Sequence, residues 1–231
     1  MMRWMTAVCL LLAATGAFAA GVGSVMHLSG TLSAQRADGA VRILSQKSEV
    51  FNGDTLTTQR DSFAQVNFTD GSSVTLRPNS SMRIERYSFD EKKPQADGIV
   101  MRVLRGGLRS VTGLIGRRGN QDAYRIQTTT ATIGIRGSTG DTLDCMQGCE
   151  GVTSKSGALP PGVYHATHNG TYIMETKGGS VLIGEKEFGF SDDPNKPPSK
   201  LPGDPGMGTN EFPFALGVGG GPGSVEECVV K

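Results

Sequence analysis

Apolar residues in this chain recur at alternate positions, in short runs that break at turn signals. Ala64, Val66 and Phe68 alternate with polar neighbours, as do Val74 and Leu76, then Met82 and Ile84. Each run is too short for a helix and has the period of a half-buried strand. Asn52-Gly53-Asp54, Asp70-Gly71-Ser72 and Arg77-Pro78-Asn79-Ser80 separate them. The pattern predicts strands at 22–28, 31–36, 41–44, 55–58, 63–69, 73–77 and 82–89. Further strands are expected at 99–104, 108–112, 126–135, 163–167, 171–176, 180–183 and 188–190, with turns at 105–107, 137 and 168–170. Residues 114–122, rich in Gly and Arg, read as a mobile loop. No segment after residue 19 sustains a helical period, so the fold class is all-β.

The two ends follow other patterns. Arg3, the apolar residues 7–14 and the small-x-small triplet Ala17-Phe18-Ala19 form a signal peptide over residues 1–19. Its apolar stretch is shorter than the roughly 18–20 residues of a membrane span. Export to the periplasm is therefore expected, with no span after cleavage; outer-membrane or surface association fits the same reading. Residues 20–190 form the β-domain. From 191 to 231 proline and glycine dominate, and such a segment buries too little apolar surface to offset its ordering entropy. A disordered tail is expected there.

Charge narrows the partners. Without Arg3 the chain carries 22 basic and 22 acidic residues, which gives no electrostatic case for nucleic acid. Cys145, Cys149 and Cys228 follow the leader. Three cysteines permit three single bridges, and in an oxidising compartment the close pair Cys145–Cys149 is the favoured one.

Four stretches in order, GDTLTT, DSFAQVNFTDGSSVTLRPNSSMRIERY, LRGGLRSVTG and TATIGIRG, resemble the FecR domain. That family is known for periplasmic modules that help relay ferric-citrate uptake signals. The resemblance covers residues 39–143 and implies a twisted β-solenoid-like domain; the corner spacing alone also suits a β-sandwich or jelly roll. Full regulators of the family look like a cytoplasmic sigma-factor-binding segment, a membrane span and then this domain. With a signal peptide in place of the first two, the resemblance implies a stand-alone periplasmic module.

Candidate chemistry is sparse. His165 and His168, three apart, point to opposite faces of a strand and cannot share a metal there. Asp54, Asp61 and Asp70 sit at turns and read as Asx-turn residues, without the spacing of a calcium loop. The 217–223 glycine cluster lacks the Lys and Ser/Thr of a phosphate loop. Glu175, Glu185 and Glu187 are the carboxylates a glycan hydrolase would need to bring together. Arg136 has two readings: a fork tying backbone carbonyls at a corner, or a partner contact.

No cofactor or metal is expected. The first reading is a non-enzymatic binding or scaffold module that engages an envelope protein partner, with a polysaccharide as the other surface partner. The alternatives are a carbohydrate-active hydrolase on a β-scaffold and a structural cell-envelope subunit.

Overall fold

The computed structural model describes residues 20–118, 120, 122–149 and 158–208. Residues 1–19, expected as a signal peptide, and Cys228 lie outside these, as does the Arg136 side chain. The strands are β1 (Gly23–Ser29), β2 (Leu32–Gln35), β3 (Val41–Leu44), β4 (Glu49–Val50), β5 (Thr55–Thr58), β6 (Phe63–Phe68), β7 (Ser73–Leu76) and β8 (Ser81–Ser88). They continue as β9 (Gly98–Val111), β10 (Tyr124–Gln127), β11 (Thr132–Asp144), β12 (Val163–Thr176), β13 (Gly179–Ile183), β14 (Phe188–Ser191) and β15 (Ser199–Leu201). The only described helix is a single 3₁₀ turn, Pro94–Ala96. The fold is all-β, as the alternation predicts.

The fifteen described strands join one hydrogen-bonded sheet that curls into a barrel-like arrangement, with β3, β4, β13 and β15 each paired on one side. Its pairings resolve into two layers. One runs β3-β2-β5-β8-β9-β10-β11-β12-β13. The other runs β4-β1-β6-β7-β9-β11-β12-β14-β15. Only β9 with β10 is parallel among the described pairings, so the register does not supply the parallel stacking of a solenoid.

The three long strands β9, β11 and β12 serve both layers. Each contains a glycine at positive φ where it passes between them: Gly106 at 72°, Gly137 at 66° and Gly170 at 81°. A left-handed residue inside a strand redirects it without ending it. The turns expected at 105–107, 137 and 168–170 are thus bends within continuous strands. The opposite correction applies at 126–135, expected as one strand. Thr128 Oγ1 donates to the Ala131 carbonyl at 2.7 Å and accepts from the Ala131 N–H at 3.1 Å, closing a turn between β10 and β11.

The main core lies between the layers. Ala64, Val66, Phe68, Val74, Leu76, Met82 and Ile84, the residues of the alternating runs, are all buried there. A second apolar cluster covers the outer face of the β11-β12-β14 region and contains Leu143, Cys145, Leu159, Tyr164, Ala166 and Met207. Residues 191–208, expected in the tail, therefore belong to the fold. β15 pairs with β14, and the chain then returns so that Met207 is fully buried. Local composition did not show this, because the surface that orders the segment belongs to other strands.

The 114–118 part of the expected loop is also docked. Ile115 is buried, and its N–H donates to Asp70 Oδ2 at 3.2 Å. Arg118 reaches Asp97 at 3.2 Å.

Candidate functional site

The most concentrated polar chemistry lies on the outer face of the second layer, where Arg109 of β9 sits opposite Asp141 of β11. Arg109 grips the carboxylate side-on, with Nε on Oδ1 at 2.7 Å and Nη2 on Oδ2 at 2.8 Å. Arg77, just past β7, approaches Oδ2 at 3.4 Å. His168 Nε2 lies 3.0 Å from the same oxygen. Asp141 is completely buried. Burial alone would push its carboxyl up, but hydrogen bonds from Arg109 and His168, with the charges of Arg109 and Arg77, outweigh it and hold the pKa at about 2.

The returning chain is tied to this cluster, because Arg77 Nη2 also donates to the Gly208 carbonyl at 3.1 Å. A bulge positions His168. Thr139 pairs with Asn169 and Gly140 with Thr167, leaving His168 as the extra residue of β12. His165 faces the other way, as expected for the spacing. It is fully buried, its Nδ1 lies 3.1 Å from Thr142 Oγ1, and its ring packs on Tyr172 at 4.2 Å between centroids. Burial pushes its pKa down to about 3, so the ring is neutral at physiological pH.

Beyond Arg77, a shallow polar cleft of about 110 Å³ opens between three chain segments. It is lined by Asn79, by Arg105 and Gly106 at the β9 bend, and by Gln147 and Gly148 of the loop closed by the Cys145–Cys149 disulfide. The favoured cysteine pairing is the one present. No described group of three or more His, Cys, Asp and Glu residues could hold a metal.

The remaining expected residues are placed as follows. Asp70 accepts from the Ser72 N–H and hydroxyl, at 3.2 and 2.6 Å, which is the Asx-turn chemistry read from its position. Asp54 accepts from the Phe51 N–H at 3.0 Å and pairs with Arg42 at 2.8 Å. Glu187 is bound by Lys200 and by the Gly184 N–H. Those bonds hold its carboxyl below the ordinary range, opposite to the raised pKa that a glycosidase acid requires. The Arg136 backbone pairs with Thr171. The Asp141 cluster escaped sequence reading because its four members come from positions 77, 109, 141 and 168, which no local spacing relates.

Fold and site define a barrel-like all-β domain whose strongest internal charges pair with one another and whose polar cleft lies at a strand bend. Residues 54–148, from the start of β5 into the disulfide loop, match the FecR protein family. FecR domains are typically periplasmic and generally non-enzymatic. Two crystal structures of a proposed anti-sigma factor from Parabacteroides distasonis, at 1.65 and 2.50 Å resolution, are similar at 13% identity, with TM-scores of 0.47 and 0.48. Each alignment covers 67% of this chain and 62% of that chain. No curated protein matches. Among the described residues, no helix is long and apolar enough to cross a membrane.

Proposed function

We propose that the chain is an exported, non-enzymatic FecR module of the periplasm that engages an envelope protein in signalling or regulation. The FecR match supports the class, and the composition of residues 1–19 supports export. The observation that carries partner binding is the edge strand β3. Among the described strands it pairs only with β2, and it turns Val41 and Ile43 to solvent at 63% and 72% exposure. An unpaired edge with outward apolar side chains is the surface to which a partner strand adds, its backbone supplying hydrogen bonds and its side chains the selectivity.

The test uses the full chain expressed in its own envelope. A photo-crosslinking residue at position 43 is expected to trap a discrete envelope protein, and Ile43→Lys is expected to abolish capture of that protein by the native chain while the thermal transition stays in place. Turnover of a glycan or peptide by the chain, with no protein trapped at position 43, would overturn the reading.

A further inference from the structure

We propose that the cleft formed by Asn79, Arg105, Gly106, Gln147 and Gly148 is a carboxylate subsite that takes an acidic side chain of a protein partner. This rests on the reading of the chain as a protein-binding module, and gives that partner a chemical requirement.

The cleft holds hydrogen-bonding capacity that is left unused. Asn79, Arg105 and Gln147 line one concavity from three segments. None of the three side chains makes a hydrogen bond or ion pair within the described residues, in contrast to Arg77, Arg109 and Arg118. A guanidinium supplies a planar fork of donors matched to a carboxylate, and the two amides can donate beside it. Among the described residues, the acidic side chain adjoining the loop in sequence does not compete. Asp144 is buried and accepts from the Thr129 N–H at 2.7 Å and the Met146 N–H at 3.3 Å.

The backbone of both walls is cross-tied, which lowers the entropy cost of binding. Ser80 Oγ accepts from the Gly107 N–H at 2.8 Å, locking the 78–80 corner to the β9 bend. The Ser80 N–H in turn donates to Thr58 Oγ1 at 3.1 Å. On the far side, the Cys145–Cys149 bridge and the Gly148 N–H on the Cys145 carbonyl, at 2.9 Å, fix the loop carrying Gln147.

Size selects the occupant. At about 110 Å³, the cleft is well below the roughly 300–1,000 Å³ of sites that engulf a small molecule. It suits one head group presented by a larger partner. Saccharide rings and free metabolites are disfavoured on that ground.

The test is NMR titration of the isotopically labelled full chain with a tetrapeptide bearing two glutamates, against its glutamine counterpart. Shifts are expected at the Arg105 Nε–H and the Gly106, Gln147 and Gly148 amides, with the acidic peptide only. Arg105→Gln is expected to weaken binding at least tenfold, whereas Arg60→Gln, at another exposed arginine, should leave it unchanged. Equal weakening by both variants would reduce the effect to general charge attraction and overturn the subsite. So would tighter binding of an oligogalacturonate of equal charge, or an Arg105 signal already at its bound position in the free full chain. Crosslinking at position 43 reads the parent proposal separately. A trapped partner with no peptide shifts sinks only the cleft; peptide shifts with no trapped partner sink the docking edge.

Discussion

Arg109 holds Asp141 in a two-point grip, Nε on Oδ1 at 2.7 Å and Nη2 on Oδ2 at 2.8 Å, with the carboxylate wholly buried. The pair joins β9 to β11 immediately beyond the bends at Gly106 and Gly137, where these strands pass between layers. Its Oδ2 also lies within reach of Arg77 and His168. One carboxylate thereby ties β11 to β9, to β12 and, through Arg77, to the returning chain at Gly208. Both oxygens of the carboxylate are engaged by these partners, and its pKa is held far from that of a proton donor at neutral pH.

Removing the carboxylate is expected to be costly. Asp141→Ala leaves buried guanidinium groups without their counter-charge, a loss of about 3–5 kcal/mol in unfolding free energy. Replacing both partners tests whether the pair stabilises or only specifies. The double variant Asp141→Leu with Arg109→Met should recover only part of the loss, because the desolvation cost of that pair disappears while Arg77 stays buried without its carboxylate. Urea unfolding of the three proteins reads both numbers.

Acid should destabilise the protein in two windows. The folded pKa of His165 is about 3, below the ordinary value of about 6.5. The unfolded chain therefore takes up the proton first. This contribution is fully present above about pH 6.5 and is lost at about 1.4 kcal/mol per pH unit as the pH falls towards 3. Asp141 has the same sign, with a folded pKa of about 2 against an ordinary 3.8. Its share, roughly 2 kcal/mol, is lost as the pH falls through that lower window. His165→Gln keeps a polar group for Thr142 and should flatten the stability profile between pH 6 and 4, leaving the lower window in place.

Element periods were legible in the sequence, and long-range use of the elements was not. Residues 41–44 and 55–58 could be bounded from alternation and turn residues alone, since both signals are local. Gly106, Gly137 and Gly170 look the same in sequence whether they reverse a chain or bend a strand. The difference is decided by which strands lie alongside. Ser199–Leu201 has almost no alternation and becomes a strand because β14 offers it an edge. The cluster at Asp141 depends on four distant positions, so no spacing could announce it. The disulfide, with three residues between Cys145 and Cys149, was readable because its geometry is local.

Met207 gives a test of the returning segment. It is fully buried among Leu143, Tyr164 and Ala166, with Phe188, Phe190 and Leu201 packed against the cluster. Met207→Ala is expected to cost about 2–5 kcal/mol, as for other large-to-small changes in packed cores. Binding of a hydrophobic dye should rise in parallel, because the outer face of β11 and β12 loses cover. An unchanged transition would mean that residues 202–208 lie on the domain without stabilising it.

Gly170 and Gly39 separate the two demands a left-handed glycine can meet. Both have positive φ, 81° and 88°, so alanine at either carries a backbone penalty of about 1–2 kcal/mol. At Gly39 a Cβ would meet nothing within 4 Å, and Gly39→Ala should cost no more than that penalty. At Gly170 a Cβ would collide with the Ser138 hydroxyl and lie 3.1 Å from the Gly137 carbonyl. Ser138 Oγ there accepts from the Thr171 N–H and donates to the Thr171 carbonyl, both at 2.9 Å, joining β11 to β12 at their bends. Gly170→Ala must break that exchange or move the strand, so its loss should exceed that of Gly39→Ala by about 1–3 kcal/mol. Amide exchange at Thr171 localises the effect: it should accelerate in Gly170→Ala and stay unchanged in Gly39→Ala. Equal thermal shifts in the two variants would mean that the crossing of β11 and β12 tolerates a side chain, and that the bend at Gly170 is held by its neighbours rather than by glycine.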